Sequence, residues 1–493
     1  MKKNISRIIC MLLALLFVAT CCIACAKKNN GADGTDSGNG DQNAVSTDPQ
    51  SQGGLGGDNS KKTEAELPDV NYNGYKVQVL VRPTENCMLD ITTDNYSAGD
   101  VEEVVFERTV YMKETFGIEL ELNRSSDANC DFDALEPIKA GDQTYDLLAC
   151  HGRAATAYAI QGCAYDWNDL KWVDLECDWW TQAATDAYTV NGALYFMLGD
   201  ISHMKEGQTI CMYFNKGILD DARIDYPYDL ALEGKWTLET MTRMARDAYA
   251  SLEKTGTGLL EDDSFAYVTG WWRGPMQLLY STGHRVIKGN SSSEFELDLY
   301  NDTTIEAYKS YLDDFVFSGI CNNEAPGDYA KMQNAFKADR VVFYDDLMEV
   351  SYRFDDVDFG ILPWPKYSED VEGYPCTVGA YSNFFVVPST VKDAEMMSVV
   401  LEAMSYYGYK NIISVYFDEV LSYKYSPDPE SVEILNLIKE SRIYDFGGVY
   451  NFGGIGDMGK ALYEAGTGTE ITTFYNSLSS VAKSKFEDWS NVK

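Results

Sequence analysis

Tyr75-Lys-Val-Gln-Val-Leu-Val81 alternates Val77, Val79 and Val81 with side chains that face the other way, which is the period of a strand. A polar loop leads from it to Asp100-Val-Glu-Glu103, a capping residue with Glu three positions on. Val101, Val104, Val105, Arg108, Met112 and Phe116 then recur at helical spacing, and Gly117 marks the stop. Ile118, Leu120 and Leu122 alternate again. A second helix is expected over 131–140, and Tyr145-Asp-Leu-Leu-Ala-Cys150 reads as a third strand. Strands and helices taking turns in this way predict a parallel βαβ series, hence an α/β fold.

Further along the chain a second series begins after the apolar run Ala193–Leu198, itself read as a strand. Met212-Tyr-Phe-Asn215 is a short strand, and Trp236-Thr237 opens a helix that carries Leu238, Met241, Met244, Ala245, Ala248 and Leu252 on one face. A helix over 303–317, strands at Val341–Tyr344, Val357–Leu362 and Phe384–Val387, and an apolar helix from Val391 to about Tyr407 complete the pattern. No internal repeat is visible.

Toward the N-terminus the pattern stops. Lys2, Lys3 and Arg7 form a basic tip ahead of an apolar run from Ile8 to Ala24, the length of an export-signal core and too short to span a bilayer comfortably. The run ends at Cys22-Ile-Ala-Cys25, a small residue before a cysteine, which is the cut-site pattern of a bacterial lipoprotein. Residues 1–25 are therefore expected to be a lipoprotein signal with Cys25 acylated. Cys21 and Cys22 compete for that role, and a plain secretory signal or an uncleaved anchor are the other readings. Residues 26–67 are polar, Gly-rich and free of aromatic residues, so they cannot bury enough apolar surface to order themselves. A flexible coil of that length spans about 35 Å and suits a tether. The folded body is expected over 68–493, a length that favours two lobes over one.

The chain carries a net charge of -37, and loss of a leader with three cations and no acid makes the mature protein more negative still. Such a body repels nucleic acid and anionic lipid, whose phosphates need Lys and Arg in excess. Eight cysteines follow Cys25, widely spaced and without a C-x-x-C pair; mostly buried free thiols are expected, with Cys150, Cys163 and Cys177 as the one cluster close in sequence. The three histidines show no zinc spacing, and neither a metal nor any other cofactor is expected. G-x-S-x-G does not occur. Gly454-Ile-Gly-Asp-Met-Gly459 matches a phosphate-loop glycine pattern, but Ala461 stands where a magnesium-binding hydroxyl is needed and only 34 residues follow. It reads as a Gly-rich turn.

Acidic pairs are frequent: Asp262-Asp263, Asp313-Asp314, Asp345-Asp346 and Asp355-Asp356. Most are expected to be solvated surface. Asp345-Asp346 follows an apolar strand, and in open α/β sheets the crevice lies at the carboxyl ends of strands. Aromatic residues make up 13% of the chain, and three clusters sit in polar, Gly- or Pro-punctuated surroundings: Trp271-Trp272-Arg273, Trp364 and Trp179-Trp180. Indole faces can carry C–H-rich sugar rings while Asp, Asn and Arg read hydroxyls; packing is the competing reading for each cluster.

Taken in order, Tyr145-Asp-Leu-Leu148, Gly192-Ala-Leu-Tyr-Phe-Met-Leu-Gly-Asp200, Met212-Tyr-Phe-Asn-Lys216, Gly234-Lys-Trp-Thr-Leu238, Asp358-Phe-Gly-Ile-Leu-Pro-Trp-Pro-Lys366 and Gly379-Ala-Tyr-Ser-Asn-Phe-Phe-Val-Val-Pro388 resemble the family 1 extracellular solute-binding proteins of bacterial ABC importers. This is the maltose-binding-protein-like group, and Ser441-Arg-Ile-Tyr-Asp-Phe-Gly447 is similar to a clostridial lipoprotein type. The resemblance covers about 70–490. A calcium loop found in related proteins has no match in Lys254–Asp263, so calcium is not carried over.

The resemblance implies a periplasmic-binding-protein-like fold: two α/β lobes joined by crossover strands around a ligand cleft. Lobe 1 would comprise about 68–200 and 375–410, lobe 2 about 201–374 and 411–493, with Gly199-Asp200 and Gly379-Ala380 at the crossings. It further implies a non-enzymatic, monomeric, lipid-anchored protein on the extracellular side of the cell membrane. That protein would pass a small solute, a mono- or oligosaccharide, to permease subunits. A surface glycan-degrading enzyme using paired carboxylates, or a sensor or adhesion module, are the alternatives. Strand ends and crossings nominate His151, Arg153, Asp200, Trp271, Trp272, Arg273, Tyr344, Asp345, Tyr381 and Ser382 as ligand contacts.

Overall fold

The computed structural model describes residues 62–94, 96, 100–129, 131–354, 356–417 and 429–492. The leader, Cys25, most of the tether, Cys130 and Asp355 lie outside the described residues. Residues 62–67, expected to belong to the tether, lie against the body: Ala65 and Leu67 pack on its core, and Lys62 pairs with Asp174.

Among the described residues the strands, in chain order, are β1 Tyr75–Val81, β2 Ile118–Arg124, β3 Leu147–Cys150, β4 Ile210–Asn215, β5 Phe265–Val268, β6 Ile287–Lys288, β7 Glu296–Leu297, β8 Val341–Leu347, β9 Phe359–Pro363, β10 Cys376–Thr377, β11 Phe384–Val386 and β12 Arg442–Ile443. The first sheet runs β11-β3-β1-β2. Its β1, β2 and β3 are parallel, with Tyr75 opposite Ile118 and Val79 opposite Leu147, while β11 joins antiparallel. Val77, Val79 and Val81 are buried, as the alternation requires, and Leu80 is buried on the opposite face. The helix Asp100–Phe116 links β1 to β2 and ends at Gly117 with φ +61°.

The second sheet runs β5-β8-β4-β9 and is mixed: β4 is antiparallel to both β8 and β9, and only β5 is parallel to β8. Strand direction within this second series was not visible in the sequence. Thr237 caps the helix Leu238–Tyr249 by accepting the Thr240 N–H, and Leu238, Met241, Met244, Ala245 and Ala248 face inward. Ala193–Leu198 is not a strand. Its Met197 exchanges two backbone bonds with Phe385, of 3.1 and 3.0 Å, Ala193 closes a tight bridge with Val190, and the residues between are buried irregular chain. Trp179 and Trp180 are core residues, and both indole N–H groups donate to the buried Glu402, at 2.9 and 2.8 Å. Cys87, Cys163, Cys177, Cys211, Cys321 and Cys376 are buried free thiols, and Cys150 is buried in the first sheet.

Three segments run side by side between the sheets. Thr209 pairs with Val378, Gly379 N–H donates to the Gln208 carbonyl at 3.0 Å, and β10 lies parallel to β12. Next to them is a chain of alternating buried charges. Lys205 Nζ lies 2.8 Å from Asp200 Oδ1 and also pairs with Glu206, which in turn pairs with Arg442. Burial opposes the Lys205 charge, but the Asp200 and Glu206 carboxylates outweigh it and raise its pKa. Burial likewise opposes the Glu206 charge, and Arg442 and Lys205 overcome it and bring its pKa down to about 2. After β12 the C-terminal helices touch both sides. Phe446–Tyr450 packs on the helix Gly152–Ile160, and Met458–Ala465 packs on the helix Gly274–Ser281.

Candidate functional site

Between the sheets, beside the crossing segments, lies a cavity of about 640 Å³, inside the roughly 300–1,000 Å³ usual for small-molecule sites. His151, Arg153 and Tyr381 wall it from the first sheet. Trp272, Arg273, Tyr329 and Glu349 wall it from the second, with Gln208, Thr377 and Asp445 from the crossing segments between them. A groove of similar volume along the helix Leu238–Tyr249 is bounded by second-sheet elements alone.

His151 directly follows β3 and caps the helix Gly152–Ile160, its Nδ1 accepting the Arg153 N–H at 3.0 Å. The ring proton therefore sits on Nε2. Burial and the nearby Arg82 and Arg153 charges push the His151 pKa down to about 3, so the ring stays neutral. Tyr381 meets His151 edge to face at 6.2 Å, and its other neighbour is the guanidinium of buried Arg82, 4.1 Å from the ring centre. Arg153 reaches from the first-sheet side to Asp457 at 2.9 Å, and its guanidinium carbon lies 5.9 Å from the Trp272 ring. Lys460 stands 4.5 Å from the same ring. Trp272 is thus a half-buried indole bracketed by cations.

Arg273 opens the helix Gly274–Ser281. Its Nε donates to Asp346 at 2.9 Å and its guanidinium lies 4.6 Å from the Tyr329 ring. Burial disfavours the Arg273 charge, but Asp346 more than restores it and raises the pKa. On the same helix, Tyr280 donates to Asp445 at 3.0 Å and Gln277 bonds the Thr377 hydroxyl. Glu349 accepts from Gln208 at 2.9 Å, and burial raises its pKa.

Of the ten nominated residues, the cavity brings together His151, Arg153, Trp272, Arg273 and Tyr381. The other five lie elsewhere. Asp200 belongs to the buried charge chain at the crossing. Trp271 packs on Gly327 with Lys460 5.3 Å from its ring. Ser382 is fully buried behind Tyr381. Tyr344 is fully buried and donates to Asp346. Asp345 lies in the core, where one oxygen accepts from Tyr267 at 2.6 Å, Thr269 at 3.1 Å and Trp364 Nε1 at 3.1 Å. Burial pushes its pKa up to about 7. The strand expected to end at Tyr344 continues to Leu347, so the chain reaches the cavity at Leu347 and Glu349 instead. Trp364 is core for the same reason, its N–H spent on Asp345.

Sequence reasoning passed over Gln208, Gln277, Tyr329, Glu349, Asp445 and Asp457. Asp445 and Asp457 do lie in quoted stretches, the Ser441–Gly447 segment and the Gly-rich turn, whose role in the cavity shows only after folding. Among the described residues no group of three or more His, Cys, Asp or Glu side chains could hold a metal ion.

Solved structures share this fold. The GacH receptor of Streptomyces glaucescens, solved unliganded and with acarbose, is 14% identical; the match covers 85% of this chain and 99% of that one, with a TM-score of 0.53. This is the periplasmic-binding-protein-like fold. The ABC substrate-binding protein Lmo0181 of Listeria monocytogenes, solved with cycloalternan, is 12% identical over 83% of this chain and 98% of its own, with a TM-score of 0.54. A Streptococcus pneumoniae solute-binding protein in complex with the blood group A-trisaccharide is 15% identical over 83% and 100%, with a TM-score of 0.53. No family model and no curated protein matches the sequence.

Proposed function

We propose that this protein is the solute-binding subunit of an ABC importer, capturing a mono- or oligosaccharide between its two lobes and presenting it to a membrane permease. The observation that carries the reading is the cavity of about 640 Å³ walled from both sheets and from the segments that cross between them. A site so placed couples occupancy to the angle between lobes, because a solute that touches both walls favours the closed arrangement. Its lining also suits a sugar: Trp272, Tyr329 and Tyr381 offer ring faces, and His151, Gln208 and Gln277 offer neutral hydrogen-bonding groups. The solved structures of like fold that hold acarbose, cycloalternan and a trisaccharide support the same class of solute. Lipid attachment at Cys25 and an extracellular, membrane-tethered location complete the proposal, resting on the leader sequence.

Hydrolysis by the Asp345-Asp346 pair is disfavoured by where those side chains go. Neighbours on a strand face opposite ways. Asp345 meets Tyr267, Thr269 and Trp364, whereas Asp346 meets Arg273, Gln333 and Tyr344.

Calorimetry of the mature protein against mono- and oligosaccharides, polyols, peptides and polyamines tests the proposal. Saturable binding of a saccharide, with a smaller radius of gyration in solution scattering at saturation, is the expected outcome. Binding confined to peptides or polyamines, or saccharide binding with an unchanged radius, would contradict it.

A further inference from the structure

The first-sheet wall of the cavity is electropositive in a protein whose net charge is -37. Arg82, at the carboxyl end of β1, is fully buried. Its Nη2 donates to the carbonyls of Tyr381 and Ser382 and, at 3.1 Å, to Asn383 Oδ1. Its Nε and Nη1 have no hydrogen-bond partner, and no carboxylate among the described residues lies within ion-pair distance. A buried guanidinium without a counter-charge is costly. The ring of Tyr381, a cavity wall, lies 4.1 Å from its guanidinium. Beside Tyr381 the neutral His151 carries its proton on Nε2, and the next residue but one is Arg153, which commits a single nitrogen, Nη2, to Asp457.

The other acids facing the cavity, Asp445 and Glu349, lie on its other walls and are hydrogen-bonded by neutral donors, and burial raises the pKa of both. Asp346 holds Arg273, and Asp445 accepts from Tyr280, Val286 N–H and Gly447 N–H. Glu349 accepts from Gln208. Asp131, an acid within electrostatic reach of Arg82, is buried with one oxygen unpartnered, and burial pushes its pKa up to about 7. It is therefore a weak counter-ion. Two guanidinium charges against the one carboxylate of Asp457 leave an excess of positive charge at this wall. Burial foremost, and then the Arg82 and Arg153 charges, lower the His151 pKa, so the ring adds a neutral N–H donor to this wall rather than a third charge.

We infer that the solute carries a carboxylate, as a uronic-acid unit does, and that it seats this group against His151 Nε2–H and the uncommitted edge of Arg153 with Arg82 behind Tyr381 as the long-range counter-charge. A planar, singly charged group suits this donor set: the guanidinium edge takes two oxygens side by side, and the imidazole N–H supplies a third bond. The inference rests on the proposed saccharide-binding role and deepens it. Tyr381 and Trp272 then serve as ring faces for the sugar, and Arg82 acts as a positioning residue that fixes the loop 381–383 and sets the field.

The test is calorimetric titration of the full mature chain with pairs of oligosaccharides. Each pair comprises an oligogalacturonate or a glucuronate-containing oligosaccharide and its carboxyl-reduced counterpart, identical in linkage and length. The acidic member of at least one pair should bind at least about tenfold more tightly, and the gap should shrink as salt rises, as a charge contact at a partly exposed site does. Arg153→Gln, at a half-exposed position that does not threaten folding, should cut the gap between acidic and reduced members to about threefold or less. Reduced members that bind as tightly as acidic ones, or an Arg153→Gln variant with an undiminished gap, would overturn the inference and leave the saccharide role standing. Binding of a neutral saccharide with no acidic member bound would likewise overturn the inference alone, and binding confined to peptides or polyamines would overturn both.

Discussion

Replacing Arg442 by Met should destabilise the protein by leaving a buried carboxylate without its cation. Asp200, Lys205, Glu206 and Arg442 form a closed set of two negative and two positive charges at the crossing, each side chain less than one-tenth exposed. Without Arg442, Lys205 must serve both carboxylates and the set keeps one negative charge in excess. Removing one partner of such a pair costs about 3–5 kcal/mol, because the uncompensated charge stays buried. A body of about 430 residues has an unfolding entropy near 0.9 kcal/mol/K, from roughly 2.1 cal/mol/K per residue, so the loss corresponds to a fall in Tm of about 3–6 °C. The double variant Arg442→Met/Glu206→Met restores neutrality through the remaining Asp200–Lys205 pair. It should therefore be less destabilised than the sum of the two single variants, with a coupling of about 2 kcal/mol or more. Scanning calorimetry of the four proteins completes the cycle. A Tm for Arg442→Met within about 1 °C of the parent, or simple additivity in the double variant, would refute the argument.

Acidity is a second handle. Burial pushes the pKa of Glu402 up to about 7 although both indole N–H groups oppose the shift, so the folded protein holds a proton that the unfolded chain releases near the ordinary Glu pKa. Stability should then fall as pH rises through that window and level off above about 7, by at most about 1.4 kcal/mol per pH unit for this group. Tm should accordingly be higher at pH 5.5 than at pH 7.5, with a shallower slope in Glu402→Gln; an unchanged slope in that variant would discount Glu402. In Gly274→Ala the new methyl would meet the Tyr267 and Tyr311 hydroxyls and the Asp345 carboxylate. A loss of about 1–3 kcal/mol is expected, read as a lower Tm, together with weaker solute binding because the same turn carries Trp272 and Arg273; full solute affinity in a folded variant would separate the turn from the site. For the membrane tether, Cys25→Ala should release the protein from cell membranes and abolish lipid labelling, whereas retention with labelling would move the acyl chain to Cys21 or Cys22.

Much of the first lobe could be read from residue order, because β1 alternates Val77, Val79 and Val81 into the core and Gly117 closes the following helix where the spacing ends. The second sheet was less legible. Ile210–Asn215 and Val341–Leu347 are buried nearly end to end, and an unbroken apolar run carries no sign of its direction or partners. The same effect misplaced Asp345. A charged residue after an apolar run looks like the end of a strand, yet Tyr267, Thr269 and Trp364, all distant in sequence, converge on this carboxylate and let the strand run on. Trp179 and Trp180 show the converse, since their shared acceptor, Glu402, lies more than two hundred residues away. The cavity residues that sequence did reveal sit where a strand gives way to a helix or turn, as at His151 and Arg273. Those it did not, such as Asp457 and Gln208, come to the cavity only through the C-terminal helices and the crossing segments.

Whether solute occupies the space between the sheets is measured most directly at the two adjacent tryptophans. Trp272 walls the cavity, whereas its neighbour Trp271 packs on Gly327 outside it. Once a solute has been identified, calorimetric titration of Trp272→Ala should show affinity at least about tenfold weaker, equivalent to about 1.4 kcal/mol, with the Tm of the empty protein nearly unchanged. Trp271→Ala should bind within about threefold of the parent. Normal binding by Trp272→Ala, or a loss confined to Trp271→Ala, would place the solute elsewhere and contradict the account.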